Sequence, residues 1–180
     1  ASWSTAFRIL QDGVAAAGAA GGGEVWVAAG TYVGTVTLQP GVAVYGGFAG
    51  NETTRDARDP AANGTVIDGK FFRRCVVGAD NATLDGVTLY AGVAALGGGL
   101  FTNGTTPTVV NCTFLRCGNW STAAGGGLQH TGDVGDVLTV TDCRFVDNTA
   151  DTGAGARVQG AEIRFVRCRF EGNSSGIYGA

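Results

Sequence analysis

Methionine is absent from this 180-residue sequence, and lysine and histidine occur once each. The lysine stands beside eleven arginines at a net charge of −3, so there is no basic stripe and we expect no nucleic-acid partner. No apolar run is long enough to span a bilayer. With one histidine and no Cys-x-x-Cys pair, the sequence predicts neither a metal site nor a cofactor.

The carboxylate patterns of carbohydrate-cleaving enzymes are also missing, because a lyase needs clustered acids and a glycosidase needs two carboxylates on one face. The aspartates are instead spread along the chain at Asp68, Asp85, Asp133, Asp136, Asp142, Asp147 and Asp151. His130 lies alone in a segment rich in Thr and Gly, where we expect a solvated loop. Residues 55–60 form the densest charged run, predicted to be a solvated loop whose Arg and Asp side chains pair. We therefore expect no catalytic residue.

Seven of the eight asparagines lie in Asn-x-Ser/Thr sequons, where chance would place about one. The seven are Asn51, Asn63, Asn81, Asn103, Asn111, Asn119 and Asn173. This enrichment predicts a secreted protein that carries N-linked glycans on accessible loops, although a structural repeat would account for two or three of the sites. Asn111 is the weakest of these predicted sites, because it lies at a bend beside the core. The opening Ala1-Ser2-Trp3 is expected for a processed N-terminus.

Two kinds of segment repeat along the chain. Glycine-rich clusters at residues 97–100, 125–128 and 153–156 follow one another at steps of 28 residues. A second block occupies residues 109–114, 140–145 and 165–170, with a degenerate copy at 84–89, and its steps are 25, 31 and 25 residues. A period of 20–30 residues is typical of stacked supersecondary units, and the irregular steps indicate insertions in loops.

The second block predicts two short strands joined by a bend. Its Thr, Val and Phe residues alternate, and no amphipathic helix fits between the blocks. Gly86, Asn111 and Asp142 separate the two halves, and these residue types tolerate a left-handed backbone. After such a bend, residues on both sides can point inward, so like residues of successive blocks should stack. One predicted row is Phe114, Phe145 and Phe170, and another is Cys112, Cys143 and Cys168.

The N-terminal half carries a resemblance to a known fold. Residues 3–17 are predicted to form an amphipathic helix with Ala6, Ile9, Leu10 and Val14 on one face. The segments 23–32 and 42–48 follow. This sequence resembles the right-handed parallel β-helix, or pectin-lyase-like, superfamily. The resemblance implies an all-β, right-handed parallel β-helix solenoid with a short N-terminal capping α-helix. We expect one domain over residues 1–180, with the helix cap at 1–20 and the coils at 24–180.

The five cysteines receive three different predictions. Cys112, Cys143 and Cys168 are expected to form an internal ladder, either as small buried apolar residues or with one disulfide between neighbours. Cys117 falls at the turn position of Asn148 and Asn173, so it is predicted to be an exposed thiol or to form an intermolecular bond. Cys75 aligns with leucines and is expected to be buried.

The predicted function is that of an extracellular, glycosylated structural protein rather than an enzyme. An open solenoid end exposes strand edges and apolar side chains, which favours pairing of one copy with another. The predicted contact joins Gly176, Ile177 and Tyr178 to the region of Trp3 and Phe7. The alternatives are a monomeric module that binds glycans or cell-surface polysaccharide, through aromatic residues such as Trp120, Tyr90 and Tyr178, and a carbohydrate-active lyase or hydrolase.

Overall fold

A computed structural model describes residues 2–118 and 124–178 of the chain. The described residues include three helical segments: a 3₁₀ helix at Trp3–Thr5, α1 at Leu10–Ala19 and a second 3₁₀ helix at Arg55–Ala57. The other elements are short β-strands, all of which pair in parallel.

The strands form three stacked sheets, and one strand from each sheet makes a coil. The first sheet contains β1 (Gly23–Ala28), β4 (Val42–Phe48), β7 (Thr83–Asp85), β10 (Thr108–Val110), β13 (Val137–Thr141) and β17 (Glu162–Val166). The second contains β2 (Gly30–Val33), β5 (Thr65–Asp68), β8 (Thr88–Tyr90), β11 (Thr113–Leu115), β14 (Arg144–Val146) and β18 (Arg169–Glu171). The third contains β3 (Val36–Thr37), β6 (Val76–Val77), β9 (Leu100–Asn103), β12 (Leu128–Thr131) and β16 (Ala156–Gln159). A fourth, two-stranded sheet pairs β15 (Thr149–Thr152) with β19 (Ser174–Tyr178).

A left-handed bend joins the first sheet to the second in each of the last four coils. The bend residues are Gly86, Asn111, Asp142 and Arg167, all with φ between 52° and 73°. The first three are the predicted bend positions. Arg167 is a residue type that rarely adopts this conformation, and Asp142 holds its guanidinium through two hydrogen bonds of 2.6 and 2.7 Å.

The strands of successive coils pair in register, so that equivalent residues form inward rows, as predicted. Phe114 pairs with Phe145, which pairs with Phe170, and the successive rings stack at centroid distances of 4.4 and 4.6 Å with interplanar angles of 4°. Phe114 and Phe145 are fully buried. Because parallel strands repeat at about 4.8 Å, flat rings at one position per coil fill the interior without gaps.

The N-terminal helix is shorter than the sequence predicted. Ala6 and Ile9 have extended backbones, so α1 begins only at Leu10, and Ile9 is exposed rather than packed. Leu10 and Val14 form the buried face, which packs on β1, β3 and β4 of the first two coils. The Gln11 side chain accepts a hydrogen bond from the Thr37 N–H at 2.7 Å. Helix α1 therefore covers this end of the solenoid and occupies part of the free edge of β3.

Candidate functional site

The last described coil exposes the interior of the solenoid on one side. Strands β16, β17 and β18 each lie at the edge of a sheet, with a partner strand on one side only. Phe170 is 46% exposed, whereas Phe145, directly beneath it, is 0% exposed. Phe165 and Val158 on the neighbouring edge strands are also exposed. These apolar residues define a surface that we call the open coil face: Val158, Phe165 and Phe170.

Asparagine side chains form a second inward row beneath the open coil face. Asn148 is fully buried; its Oδ1 accepts from the Cys117 N–H at 2.9 Å, and its Nδ2 donates to the Phe114 carbonyl at 3.0 Å. Asn173 repeats the pattern one coil later, accepting from the Asn148 N–H and donating to the Phe145 carbonyl at 2.9 Å. Each amide thus satisfies main-chain groups that the corner between two sheets would leave unpaired.

The cysteine row is confirmed, but it contains free thiols. The Cys112 N–H lies 3.3 Å from the Cys143 Sγ, and Cys168 follows on the last coil. All five cysteines are unbridged, so the disulfide considered from the sequence is not formed. Hydrogen bonding to the Cys112 thiol and burial raise the pKa of Cys143, which keeps it a neutral and unreactive thiol.

The prediction of an exposed thiol at Cys117 is wrong. Cys117 is fully buried, because its position, like that of Asn148, faces the interior after the left-handed residue Arg116. Gly92 lies on the coil between those of Cys75 and Cys117. An added Cβ at Gly92 would lie 2.7 Å from the Cys75 Sγ, so the absence of a side chain there leaves room for this thiol. Hydrogen bonding to Cys117 and burial raise the pKa of Cys75, which is buried as predicted.

His130 is also buried, contrary to the prediction of a solvated loop. It lies within β12, where it pairs with Thr102 and Val158 of the adjacent coils. Its Nδ1 lies 2.7 Å from the Thr102 Oγ1, and its Nε2 has no hydrogen-bond partner among the described residues. Burial lowers the pKa of His130, and the nearby Asp136 opposes this shift without cancelling it.

The charged run at residues 55–60 pairs with itself only in part. Arg55 contacts Asp56, but it also reaches Glu24 at 2.9 Å. The Arg58 side chain pairs outside the run, in a largely buried ion pair of 2.6 Å with Asp85. The segment is therefore fastened onto the first sheet, and an open depression beside it is lined by Asp56, Arg58, Asp59, Pro60, Ala61 and Asn111.

The predicted assembly and glycan residues lie in different environments. Trp3 packs against Trp26 and Phe48 with tilted rings and is half-buried, whereas Phe7 is exposed. Gly176 is an exposed residue of β19, which also includes the main chain of Ile177 and Tyr178. Trp120 lies outside the described residues, and Tyr90 is half-buried against Phe71.

The sequons fall into three groups. Asn51, Asn81, Asn103 and Asn111 are exposed, so the bend beside the core does not hide Asn111. Asn63 and Asn173 are half-buried, and the Nδ2 of each donates to a main-chain carbonyl. Asn119 lies outside the described residues.

Several carboxylates are neutralised by ion pairs with basic side chains. Asp142 pairs with Arg167 and Asp68 pairs with Lys70. Within residues 2–118 and 124–178, no group of three or more His, Cys, Asp or Glu side chains is arranged to hold a metal ion.

Three stacked parallel sheets, in-register inward rows and a helix over the first coils define a parallel β-helix solenoid. The chain belongs to the right-handed β-helix family, since the family model described as "Right handed beta helix region" matches residues 35–179. No curated protein and no solved structure matches the chain. In the part of the chain that the structure describes, no helix has the length and apolar character needed to cross a membrane.

Proposed function

We propose that this β-helix is an extracellular, glycosylated structural protein that assembles with copies of itself through the open coil face. The observation that carries the proposal is a set of strand edges with exposed apolar side chains. Strands β16, β17 and β18 each have a partner on one side only, and Phe170 and Val158 are almost half exposed. Edge strands with one partner and exposed apolar side chains are features that favour pairing with another chain.

The covered end supplies the second half of the proposed contact. Phe7 and Ile9 precede α1 and are exposed, and Val33 on β2 of the first coil is exposed as well. These side chains all lie at the first coil or just before α1, away from the open coil face. A contact between two different surfaces of the same chain is heterologous, so repeated contacts generate an open filament. Glycans on Asn81 and Asn103 would then lie on the sides of that filament.

The proposed role requires no catalytic group. Asp85, Asp142 and Asp68, which lie at the ends and corners of the sheets, are each paired with a basic side chain. Hydrogen bonding to Arg167 lowers the pKa of Asp142, which makes this carboxylate a poor general base. We therefore expect no release of reducing or unsaturated sugar ends from acidic or neutral polysaccharides.

A pair of matched variants tests the assembly. Val158→Asp places a charge on the open coil face, and Val134→Asp places the same charge on a loop residue that is 99% exposed. By sedimentation velocity over a range of concentrations, the unmodified chain and Val134→Asp should associate, whereas Val158→Asp should remain monomeric. A chain that stays monomeric at all concentrations, or two variants that dissociate it equally, would contradict the proposal.

A further inference from the structure

The row of cysteines ends at the open side of the solenoid. Cys112, Cys143 and Cys168 each directly precede a strand of the second sheet, and these strands, β11, β14 and β18, pair in register from their first residues. The three cysteines therefore stack, and neighbours in the row are about one strand spacing, ~4.8 Å, apart. Cys112 and Cys143 are buried, whereas Cys168 is partly exposed, because no described strand lies beyond β17 and β18.

The thiols of the row are directed along the axis toward the preceding coil. The Cys143 Sγ lies 3.3 Å from the Cys112 N, and the Cys168 Sγ donates to the Val140 carbonyl of the preceding coil at 3.3 Å. The Arg169 N–H donates to the Cys143 carbonyl at 2.9 Å, which holds Cys168 next to Cys143. A disulfide can join residues whose Cα atoms are about 4.4–6.8 Å apart, so one strand spacing is within its reach.

Cys168 is the one cysteine of the chain that solvent reaches. Cys75 and Cys117 are 0% exposed, so together with the other two members of the row they leave four thiols buried. Cys168 lies between Phe165 and Phe170 along the last coil, beside the open coil face. Burial raises the pKa of the Cys168 thiol, so its thiolate, which is the reactive form, becomes more abundant as the pH rises. A reagent that reacts with sulfur can therefore enter the row only from this side.

We propose that a small disulfide compound oxidises this chain at Cys168, and that Cys143 converts the product into an internal Cys143–Cys168 disulfide. The Cys168 thiolate attacks one sulfur of the compound, so that a mixed disulfide forms and the other half of the compound leaves as a thiolate. Cys143 then loses its proton and attacks the Cys168 Sγ, which releases the second half as a thiolate. In sum, two cysteine thiols are oxidised to one disulfide, and the compound is reduced to two thiols that take up the two protons.

Burial selects this pair over Cys112 and Cys143, which are spaced equally well. Cys143 is unreactive toward reagents in solvent, but a mixed disulfide on Cys168 places a sulfur one strand spacing away, and this proximity offsets the low thiolate fraction of Cys143. The bridge would tie the last coil, with its edge strands β17 and β18, to the coil before it. The inference rests on the row of thiols and not on assembly, which would itself cover Cys168.

Bis(2-hydroxyethyl) disulfide is the probe, added to the reduced full chain at pH 8.5 and at a chain concentration low enough to prevent association. Peptide mass spectrometry without reduction, after the remaining thiols are blocked, follows the products over time. The unmodified chain should first carry mercaptoethanol on Cys168 and then a Cys143–Cys168 disulfide, with loss of two of its five thiols. Cys143→Ser should stop at the mercaptoethanol adduct. Cys168→Ser should lose thiols about tenfold or more slowly, since its remaining thiols are buried.

Cys112→Ser is the matched control, because Cys112 is the other neighbour of Cys143 in the row, and this variant should react like the unmodified chain. Three results would overturn the proposal: Cys168→Ser reacts as fast as the unmodified chain, the adduct on Cys168 persists in the unmodified chain as long as in Cys143→Ser, or Cys112–Cys143 is the main disulfide. Far-ultraviolet circular dichroism verifies the fold of each variant. The last two results are read on the unmodified chain, so they decide the proposal even where a variant fails to fold.

Discussion

His130 combines a titratable ring with a fully buried site. Its Nδ1 has Thr102 as a partner, while its Nε2 has none among the described residues, so the neutral ring is the form that this site accommodates. A second proton on the ring would create a buried charge next to Val158, with Asp136 as an acidic group nearby. The cost of burying that charge is why the pKa of His130 is lowered.

This burial predicts that stability declines on mild acidification. In the unfolded chain the histidine takes up a proton near pH 6.5, while the folded chain resists protonation, so the unfolded state binds more protons. The free energy of unfolding should therefore fall as the pH drops below about 6.5, by at most about 1.4 kcal/mol per pH unit for one proton. Urea denaturation at pH 7.5 and 5.5 measures the effect. His130→Gln should have a flatter pH dependence over this range, and identical slopes would contradict the assignment.

Single residues show where sequence reasoning fails. The alignment of Cys117 with Asn148 and Asn173 was correct, but the expectation of exposure was wrong, because the left-handed residue before this position turns it inward. His130 was assigned to a loop because Thr and Gly surround it, whereas the pairing of β9, β12 and β16 makes this segment a buried strand. Only the register with neighbouring coils distinguishes the two outcomes.

At the scale of elements, the number of residues between the inward positions of the first and second sheets is constant in the coils that have a left-handed bend. The inward positions Leu84 and Leu89 are five residues apart, and so are Val109 and Phe114 in the next coil. The connections to the third sheet vary in length, which explains why the repeat steps of the sequence are irregular. Strand order and inward rows could thus be predicted, whereas the start of α1 could not, since apolar periodicity continues through the extended residues before Leu10.

The phenylalanine row predicts that replacing two of its members by alanine lowers the free energy of unfolding by unequal amounts. Phe145→Ala should lower the free energy of unfolding by about 3–5 kcal/mol, because the fully buried ring leaves a cavity between two stacked neighbours. Phe170→Ala should cost about 1–2 kcal/mol, since that ring is 46% exposed. Urea denaturation at a concentration low enough to prevent association measures both. Equal losses would mean that the two rings are equally covered.

At the scale of the whole molecule, N-glycosylation and the inward asparagine row compete for one residue, Asn173. The Nδ2 of Asn173 is committed to the Phe145 carbonyl inside the solenoid, whereas Asn81 and Asn103 are exposed on its surface. Material from a glycosylating host should therefore carry glycans at Asn81 and Asn103 and little at Asn173. Peptide mass spectrometry after enzymatic deglycosylation in heavy-oxygen water measures the occupancy of each site. Full occupancy at Asn173 would contradict the asparagine row.

The difference between the two ends also implies a direction of failure under mechanical load. Every interior coil is held by a neighbour on each side, but β17 and β18 are held on one side only. At the opposite end, Leu10 and Val14 must leave their buried sites before the first strands can separate. Under tension along the axis, strands with a partner on one side only should therefore separate before the strands that α1 covers.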